Sequence, residues 1–360
     1  MKVAVAMSGG VDSSTAAFIL KSAGHEVVGL SMQMYDNLTN ADSTYGGCCT
    51  IDDLADARRV AWKLEIPHFT LNLEENFHEK VIAPFVKSYL SGMTPSPCVL
   101  CNTHVKFDLF HQKAQAIGAE KIATGHYARI TRAVDGRLEL RKAKDLAKDQ
   151  SYFLFELSQD QLGEALFPLG ELTKPQVRAI AEEAGLPVAR KKESYEICFV
   201  PQKDRYASIV ERESGIARGE ATGEIVDTEG NVVGQHDGYY QFTIGQRRGL
   251  QVGGSDARTY VIDVNAFTKR VTIGPASALE RSELVAERVH WISGTAPRGS
   301  VDVQARVRSR AADITATVTP IDGDRVRVQF AQKLRAVAPG QAVVFYDGDL
   351  CLGGGWIARD

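Results

Sequence analysis

The chain has 360 residues, 44% of them hydrophobic and 24% charged, which allows two or three soluble domains with cores of their own. The formal net charge of −3 excludes a protein that binds polyanions through its overall field, so any nucleic acid must meet local basic patches. No apolar run approaches the ~20 residues of a membrane span, and the first residues lack the hydrophobic segment of a signal peptide, so a cytoplasmic location without a membrane partner is expected.

The first predicted element is a buried strand at residues 3–5, followed by the stretch AMSGGVDSS at 6–14. The sequence STAAFILKSAG then predicts a helix that ends at Gly24. A strand, a glycine turn and a helix N-terminus form an anion site, because the N–H groups of residues 8–10 can turn inward and the helix dipole favours negative charge. An ordinary turn with a Ser or Asp helix cap is the alternative, but the dense spacing of glycine and serine favours phosphate.

Strands and helices are predicted to alternate up to about residue 200. The segments in chain order are a strand at 26–32, a helix at 50–66 with Thr50 as its cap, a strand at 68–73, helices at 74–92 and 105–121, and a strand at 121–130. This alternation predicts an α/β fold with a doubly wound parallel sheet and helices on both faces. Ligands bind beyond the carboxyl ends of such strands, so the first loop and the later TGHYAR stretch should share one crevice.

The second half of the chain has a different pattern. From about residue 205 the segments are short, alternating and punctuated by glycine, which predicts a small β-rich domain. From about residue 276, regularly spaced antiparallel strands predict a small closed β-barrel. The expected domains are therefore a catalytic domain at 1–200, a central β-rich domain at 201–275 and a C-terminal barrel at 276–360.

Six cysteines in a chain of this length do not form a disulfide scaffold. Cys351 lies in a predicted strand and is expected to be buried. Cys98 and Cys101 lie three apart on a predicted proline-rich loop before a helix, and Cys198 follows the basic stretch 190–192. A helix N-terminus or nearby cations lower the pKa of a thiol, so both loops suit reactive thiolates. A structural zinc site is disfavoured because no second Cys-x-x-Cys and no closely spaced His pair is present.

Six stretches of this sequence resemble the bacterial tRNA-specific 2-thiouridylases, which are PP-loop members of the ATP pyrophosphatase superfamily. In chain order they are SGGVDSS, PSPCVLCN, ATGHYAR, KDQSYFLF, KKESYEICF and TIGQRRGL. The resemblance runs from residue 3 into the C-terminal barrel. It implies an adenine nucleotide α-hydrolase-like PP-loop domain, a central domain that binds tRNA, and an ATP-dependent sulfurtransferase that thiolates C2 of the wobble uridine, position 34, of tRNA. ATP with Mg²⁺, a tRNA substrate and a persulfide sulfur-donor protein are the implied cofactors and partners.

The resemblance also implies a role for individual residues. Cys198 would carry a persulfide and Cys101 would be the second, nucleophilic cysteine, with a disulfide between them after sulfur transfer. The implied ATP-binding residues are Ala6, Met7, Ser8, Gly9, Gly10, Val11, Asp12, Ser13, Met32 and Gly125. The implied tRNA-binding residues are Ser96, Pro97, Cys98, His126, Lys148, Asp149, Gln150, Arg308, Ser309 and Gln341. Two positions depart from the family pattern: many members have Asp at the position of Cys98, and Gly is commoner than Ala6.

Basic residues near these positions suggest where tRNA phosphates bind. One cluster flanks the KDQSYF stretch: Arg129, Arg132, Arg137, Arg141, Lys142, Lys144 and Lys148. Arg306, Arg308 and Arg310 alternate along a predicted strand, which would place them on one side of it and suit phosphate contact. A solvated charged surface without a ligand is the alternative for both sets.

The residues by themselves also allow three other interpretations of the function. An amide-forming or argininosuccinate-type PP-loop synthetase would use ATP and an amine, without RNA. An iron–sulfur cluster on Cys98, Cys101 and Cys198 would keep the tRNA substrate but deliver sulfide through an open iron. A tRNA-binding protein without activity would not need an intact PP-loop. The adjacent Cys48 and Cys49 are expected to have a structural role.

Overall fold

Strands and helices alternate over the first half of the computed structural model, which describes residues 1–35, 51–193, 197–200, 206–217, 219–250 and 258–359. Its elements up to residue 214 are β1 (Lys2–Ala6), α1 (Val11–Ser22), β2 (Glu26–Gln33), α2 (Ile51–Lys63), β3 (His68–Asn72), α3 (Glu74–Phe77), α4 (Ala83–Leu90), α5 (Pro97–Leu100), α6 (Phe110–Ala116), β4 (Lys121–Ala123), β5 (Ala128–Arg132), β6 (Leu138–Lys142), α7 (Gln159–Glu164), β7 (Ala165–Leu166), α8 (Lys174–Glu183) and α9 (Tyr206–Ser214). Two π-helical segments, His78–Ile82 and Cys101–Leu109, join α3 to α4 and α5 to α6.

Five strands of the first half of the chain form a parallel sheet in the order β3-β2-β1-β4-β7. Alternate residues of β1 belong to different cores: Val3 and Val5 pack on one face, and Ala4 packs on the other. This alternation follows from the two-residue period of a strand, and it confirms the predicted doubly wound α/β sheet. The strand order changes direction between β1 and β4, so the loop after β1 lies at the topological switch point, where such folds bind ligands.

A second, smaller sheet follows in the chain. Its strands are β8 (Gly223–Val226), β9 (Val232–His236), β10 (Thr259–Asn265) and β11 (Arg270–Pro275), in the order β10-β11-β8-β9. The hairpin of β10 and β11 is antiparallel, whereas β11 and β8 run parallel. The predicted small β-rich domain is therefore confirmed as a separate sheet.

The C-terminal strands close into a six-stranded barrel. They are β12 (Glu280–Trp291), β13 (Val301–Arg306), β14 (Ile314–Asp322), β15 (Arg325–Arg335), β16 (Ala342–Asp347) and β17 (Leu350–Ile357). Pairing of β12 with β17 completes the ring, as the regular strand spacing predicted. Cys351 is buried in β17, also as predicted. The β5–β6 hairpin extends the same sheet, because β6 pairs with β17, so residues 128–142 connect the first domain to the barrel.

Two local predictions were wrong. The segment 121–130 is two strands rather than one, because the chain leaves the parallel sheet after Ala123 and enters β5 only at Ala128. Cys98 and Cys101 do not lie on a loop before a helix: Cys98 is in α5 and Cys101 begins the π-helical segment. Pro97 opens this helix, a position where proline's missing N–H costs nothing. Across the described residues, no helix combines the length and apolarity needed to cross a membrane.

Candidate nucleotide and cysteine site

The loop between β1 and α1 has the geometry of an anion cradle. Gly9 has φ of +71°, and a Cβ atom there would overlap the carbonyl oxygen of Asp53. Gly10 is the N-cap of the twelve-residue helix α1 and provides no side-chain cap, so the first N–H groups of α1 remain available. The Ser8 N–H donates to Ser13 Oγ at 3.2 Å, which holds the loop against the helix. These features match a phosphate site at a helix N-terminus.

The floor of this cradle is apolar. Ala6, Met7, Val11 and Met32, all predicted as ATP-binding residues, are buried. Ser31 Oγ donates to the Met7 carbonyl at 2.7 Å and fixes the end of β1 against β2. The side chains of these residues therefore support the loop from below. A nucleotide would contact these residues mainly through their backbone atoms.

The structure brings the TGHYAR stretch to the start of α1, as expected for loops that share a crevice. A Cβ atom at Gly125 would lie 2.7 Å from the Ser13 nitrogen, so only glycine allows this approach. Two residues later, the Tyr127 hydroxyl donates to Asp12 Oδ1 at 2.7 Å. Burial, followed by the charge of Asp12, raises the pKa of Tyr127, so this phenol remains a hydrogen-bond donor at neutral pH.

Asp12 also belongs to a network of charges. Both of its carboxylate oxygens accept from Lys174 Nζ at 2.8 Å. Lys174 is the first residue of α8, its side chain is only 9% exposed, and its ammonium also lies 2.8 Å from Glu193 Oε1. Lys148 contacts the other oxygen of Glu193 at 2.5 Å. The network alternates negative and positive charges, so it adds no net negative charge beside the phosphate cradle.

A second cation, Lys191, contacts the loop directly. Lys191 Nζ donates to the Gly9 carbonyl at 3.1 Å and to Asp53 Oδ1 at 2.6 Å, and it also contacts Asp56. Burial opposes the charge of Lys191, but its hydrogen bonds to the two carboxylates raise its pKa. Burial likewise opposes the charge of Asp56, and hydrogen bonds from Lys191 and Arg59 lower the pKa of that carboxyl. Lys191 therefore remains protonated and joins its own segment to the phosphate loop.

Cys198 follows that segment and is half-buried. Its carbonyl accepts a hydrogen bond from the Tyr35 hydroxyl at 2.8 Å. The next residue, Phe199, packs edge-on against Phe77 and Phe85, with ring centroids 5.7 and 5.0 Å away. The backbone of Cys198 is thus held near the carboxyl end of β2, and because β1 runs parallel to β2, this is the edge of the sheet that also carries the phosphate loop.

Cys101 and Cys98 have different environments although they lie on one helix. Cys101 is 7% exposed, whereas Cys98 is exposed. The neighbouring Asn102 donates to the Phe153 carbonyl at 3.0 Å, and Thr103 donates to Glu156 Oε2 at 3.0 Å. These two hydrogen bonds fix the helix against residues 153–156. Access of a bulky substrate to Cys101 therefore requires a local opening.

All four described cysteines, which include Cys198 and Cys351, are thiols rather than disulfides. Cys48 and Cys49, expected to be structural, and Thr50, expected to cap a helix, lie outside the described residues.

The described residues do not assemble the donor set of an iron–sulfur cluster. Within residues 1–35, 51–193 and the other described segments, no three His, Cys, Asp or Glu side chains are grouped so that they could hold a metal ion. Cys98, Cys101 and Cys198 therefore do not converge in this structure, and their arrangement does not fit a cluster. Mg²⁺ differs, since it is bound largely by the phosphates of the nucleotide that carries it.

Several predicted tRNA-binding residues are engaged within the protein. Ser96 and Pro97 are buried, and Gln341 of the barrel donates to the Pro95 carbonyl at 3.2 Å. His126 is buried against Phe107 and Phe167. Burial, and to a lesser extent the charge of Lys106, holds the pKa of His126 well below its usual range. His126 is thus a neutral core histidine in this structure.

The KDQ stretch is similarly involved in internal contacts. Gln150 exchanges two hydrogen bonds of 2.9 Å with the backbone of Tyr127. The Asp149 side chain is 1% exposed and accepts from Arg306 at 3.0 Å. Lys148 pairs with Glu193. The Asp149 carboxylate is therefore not on the surface: it joins the first domain to the barrel.

The prediction that Arg306, Arg308 and Arg310 lie on one side of a strand was wrong. Strand β13 ends at Arg306, which is buried and lies between Asp149 and Asp313, so Arg306 cannot share a solvent face with Arg308 and Arg310. Arg308 is exposed and donates to the Ala336 carbonyl, and the adjacent Ser309 is partly exposed.

The basic cluster near the KDQ stretch is largely neutralised as well. Arg129 and Arg141 both contact Asp349 at 2.5 Å, and Lys142 is buried at 2.5 Å from Asp313. Carboxylates from the barrel supply these pairs, and they are distant in sequence from the basic residues. Lys144, by contrast, is exposed.

Sequence reasoning missed Lys174 and Glu193. The stretch Thr-Lys-Pro-Gln at 173–176 carries the signal of a helix start, and the structure has a capping box there. This signal identifies Lys174 as a first-turn residue, but nothing local indicates its ion pair with Asp12. Glu193 lies inside the KKESYEICF stretch, in which a role was predicted only for Cys198.

Known families and proteins match this chain along nearly its whole length. The family described as tRNA methyl transferase HUP domain matches residues 1–202, and those described as tRNA methyl transferase PRC-barrel domain and aminomethyltransferase beta-barrel domain match 216–275 and 281–357. The tRNA-specific 2-thiouridylase MnmA of Geotalea uraniireducens is 49% identical over 99% of this chain and 94% of its own length. The corresponding protein of Geobacter metallireducens is 48% identical over 99% and 96%. A solved 4-thiouridine synthetase–RNA complex with bound ATP has 16% identity and a TM-score of 0.36, over 59% of this chain and 50% of that one.

Proposed function

The chain belongs to the tRNA-specific 2-thiouridylase family, and from this premise we propose that it replaces the C2 oxygen of the wobble uridine of tRNA with sulfur in an ATP-dependent reaction. Relatives at 48–49% identity over 99% of the chain support the activity as a whole. We further propose which residues take part and in what order the chemical steps occur.

The first step is adenylation. A uracil C2 carbonyl is a poor electrophile and its oxygen cannot leave as oxide, so the oxygen must become part of a better leaving group. The C2 oxygen attacks the α-phosphate of ATP, the bond to the β-phosphate breaks, and pyrophosphate leaves. The N–H groups at the start of α1 and the loop around Gly9 would bind the phosphates, with the adenosine near Gly125. Mg²⁺ would enter with ATP and screen the phosphate charges.

The second step is sulfur transfer. The terminal sulfur of a persulfide on Cys198 attacks C2, and AMP leaves with the former uracil oxygen. The Cys101 thiolate then attacks the Cys198 sulfur, which breaks the S–S bond, releases 2-thiouridine and leaves a Cys101–Cys198 disulfide. An external dithiol reduces this disulfide, and a persulfide donor protein reloads Cys198. Because Cys101 is buried, we expect tRNA binding to open its surroundings.

The observation that carries this proposal is the attachment of the Cys198 segment to the phosphate loop. Lys191 contacts Gly9, and Glu193 contacts the Lys174 that holds Asp12. A synthetase that joins ATP activation to an amine would have no use for a cysteine segment anchored at its nucleotide site. The grouping of thiol and nucleotide loop therefore favours sulfur transfer over amide formation.

The test is a reconstituted reaction with the full-length protein. Unmodified tRNA, Mg·ATP, a persulfide donor and a dithiol reductant are incubated, and the wobble nucleoside is analysed by mass spectrometry while pyrophosphate is measured in parallel. We expect one pyrophosphate per 2-thiouridine and no product without ATP. Pyrophosphate release that requires an amine instead of tRNA would contradict the proposal and favour a synthetase.

A further inference from the structure

We propose that Glu193 is a positioning residue that sets the location of Cys198 relative to the phosphate loop. The inference rests on the proposed function, in which Cys198 delivers sulfur to a uridine activated at that loop. Motif resemblance assigns Glu193 no role, and its side chain is directed into the network around Asp12.

Glu193 is held by cations from two different parts of the chain. Its Oε1 lies 2.8 Å from Lys174 Nζ, and its Oε2 lies 2.5 Å from Lys148 Nζ. The contact with Lys174 is well shielded, since the side chains of Glu193 and Lys174 are 16% and 9% exposed, whereas Lys148 is 26% exposed. Lys174 binds Asp12 with the same ammonium group. Glu193 is therefore connected to the first turn of α1 through a single side chain.

Cys198 follows Glu193 by five residues. A chain of this length spans at most about 18 Å when fully extended, so the anchor at Glu193 limits where the thiol can be. On the other side of Cys198, the Tyr35 hydroxyl holds the Cys198 carbonyl and Phe199 packs between aromatic rings. Cys198 is thus restrained from both directions, and loss of the Glu193 anchor would leave Lys191, seven residues before Cys198, as the anchor on the nucleotide-facing side.

The same two segments share an exposed ion pair that serves as a matched control. Arg190 Nε lies 3.4 Å from Glu182 Oε1, with side chains 91% and 53% exposed. Exposed pairs of this kind contribute little, because water and salt screen them. The pair joins the end of α8 to the residues just before Lys191, so it resembles the Glu193–Lys174 pair in its connectivity and differs in burial.

The experiment compares Glu193→Gln, Glu193→Asp and the control Glu182→Gln in the full-length protein. The first readout is the rate of iodoacetamide alkylation at Cys198, measured by peptide mass spectrometry with the exposed Cys98 as the internal reference. The second readout is the amount of 2-thiouridine formed per pyrophosphate released. Thermal denaturation of each variant reports whether the fold is intact.

We expect Glu193→Gln to raise Cys198 alkylation at least threefold relative to Cys98 and to lower the 2-thiouridine to pyrophosphate ratio at least fivefold. Glu193→Asp should give intermediate values, and Glu182→Gln should match the unaltered protein. An unchanged alkylation ratio in Glu193→Gln would overturn the proposal. So would a parallel loss of both products together with a lower Tm, since that result indicates a purely structural role. Failure of the proposed function would appear separately, as no 2-thiouridine from the unaltered protein, and the alkylation readout does not depend on it.

Discussion

The carboxylate of Asp12 and the ammonium of Lys174 lie 2.8 Å apart, although 162 positions separate them in the chain. Asp12 is in the first turn of α1, and Lys174 is the first residue of α8. The doubly wound fold brings these two helix N-termini to the same edge of the sheet. The pairing keeps a carboxylate beside a phosphate site without the full repulsion that an isolated negative charge would exert on ATP.

Replacement of Asp12 should separate nucleotide chemistry from tRNA binding. Asp12→Ala removes the acceptor of two charge-assisted hydrogen bonds and one from Tyr127, each worth about 1.5–3 kcal/mol when a charged group is involved. We expect pyrophosphate release to fall at least about tenfold, while tRNA affinity changes little. Asp160→Ala, in the exposed first turn of α7, is the control. Unchanged pyrophosphate release by Asp12→Ala would contradict the assignment.

Two glycines with positive φ test the shape of the phosphate loop. Gly9 and Gly24 have φ of +71° and +82°, so alanine at either site should cost about 1–2 kcal/mol of stability. A Cβ atom at Gly9 would also meet the backbone of Asp53, whereas nothing lies within 4 Å at Gly24. We expect Gly9→Ala to lose ATP affinity and Gly24→Ala to retain it, as measured by calorimetric titration. Equal ATP affinity in the two variants would show that the loop tolerates displacement.

The cysteine roles can be distinguished by three substitutions. Cys101→Ser and Cys198→Ser should each abolish 2-thiouridine formation and leave ATP binding unchanged, because neither residue is in the phosphate loop. Cys98 is exposed, so we expect Cys98→Ala to retain most activity and to contain no iron. Loss of both iron and thiolation in Cys98→Ala would instead support the iron–sulfur alternative. The measurements are nucleoside mass spectrometry and iron quantification of anaerobically purified protein.

Arg308 is an exposed arginine, and the resemblance assigns it to tRNA binding. If it contacts a single phosphate, Arg308→Ala should weaken all substrate tRNAs to a similar extent and reduce the salt dependence of binding by about one unit of slope. Filter binding at several salt concentrations measures both quantities. Weakening confined to one isoacceptor would indicate base recognition in place of phosphate contact.

Asp149 should affect stability more than tRNA affinity. Its side chain is 1% exposed and pairs with Arg306, so Asp149→Ala leaves a buried guanidinium with one carboxylate fewer. Loss of one partner of a buried ion pair typically costs about 3–5 kcal/mol. We expect a clear fall in Tm, whereas the control Asp302→Ala, at an exposed hydrogen bond on the barrel, should leave Tm nearly unchanged. An unchanged Tm together with weaker tRNA binding would restore Asp149 as a substrate contact.

Local sequence predicted the elements whose physics is local. The apolar run before Gly9, the glycine that ends α1 and the alternating strands of the barrel each depend on residues within one turn or one strand. The phosphate loop belongs to this group, because glycine conformation and helix N-terminal N–H groups create its anion-binding geometry, to which Lys174 and Lys191 are added from distant parts of the chain. The burial of Cys351 was predictable for the same reason.

Contacts between distant residues were decided by the tertiary structure alone. Asp349 and Asp313 in the barrel neutralise the basic cluster of the first domain, and Asp149 buries Arg306, which overturned the expected phosphate-binding face. No local pattern reveals such pairs, because charge attraction depends on distance in space. The paired residues are far apart in the sequence and become neighbours only in the folded chain.

The sequence by itself thus determined the phosphate loop and the three folded regions, and it predicted two cysteine segments suited to reactive thiolates. Only the fold decided that Lys174 and Glu193 join the loop to the segment of Cys198, since this connection requires two helix ends and a later loop to converge at one edge of the sheet.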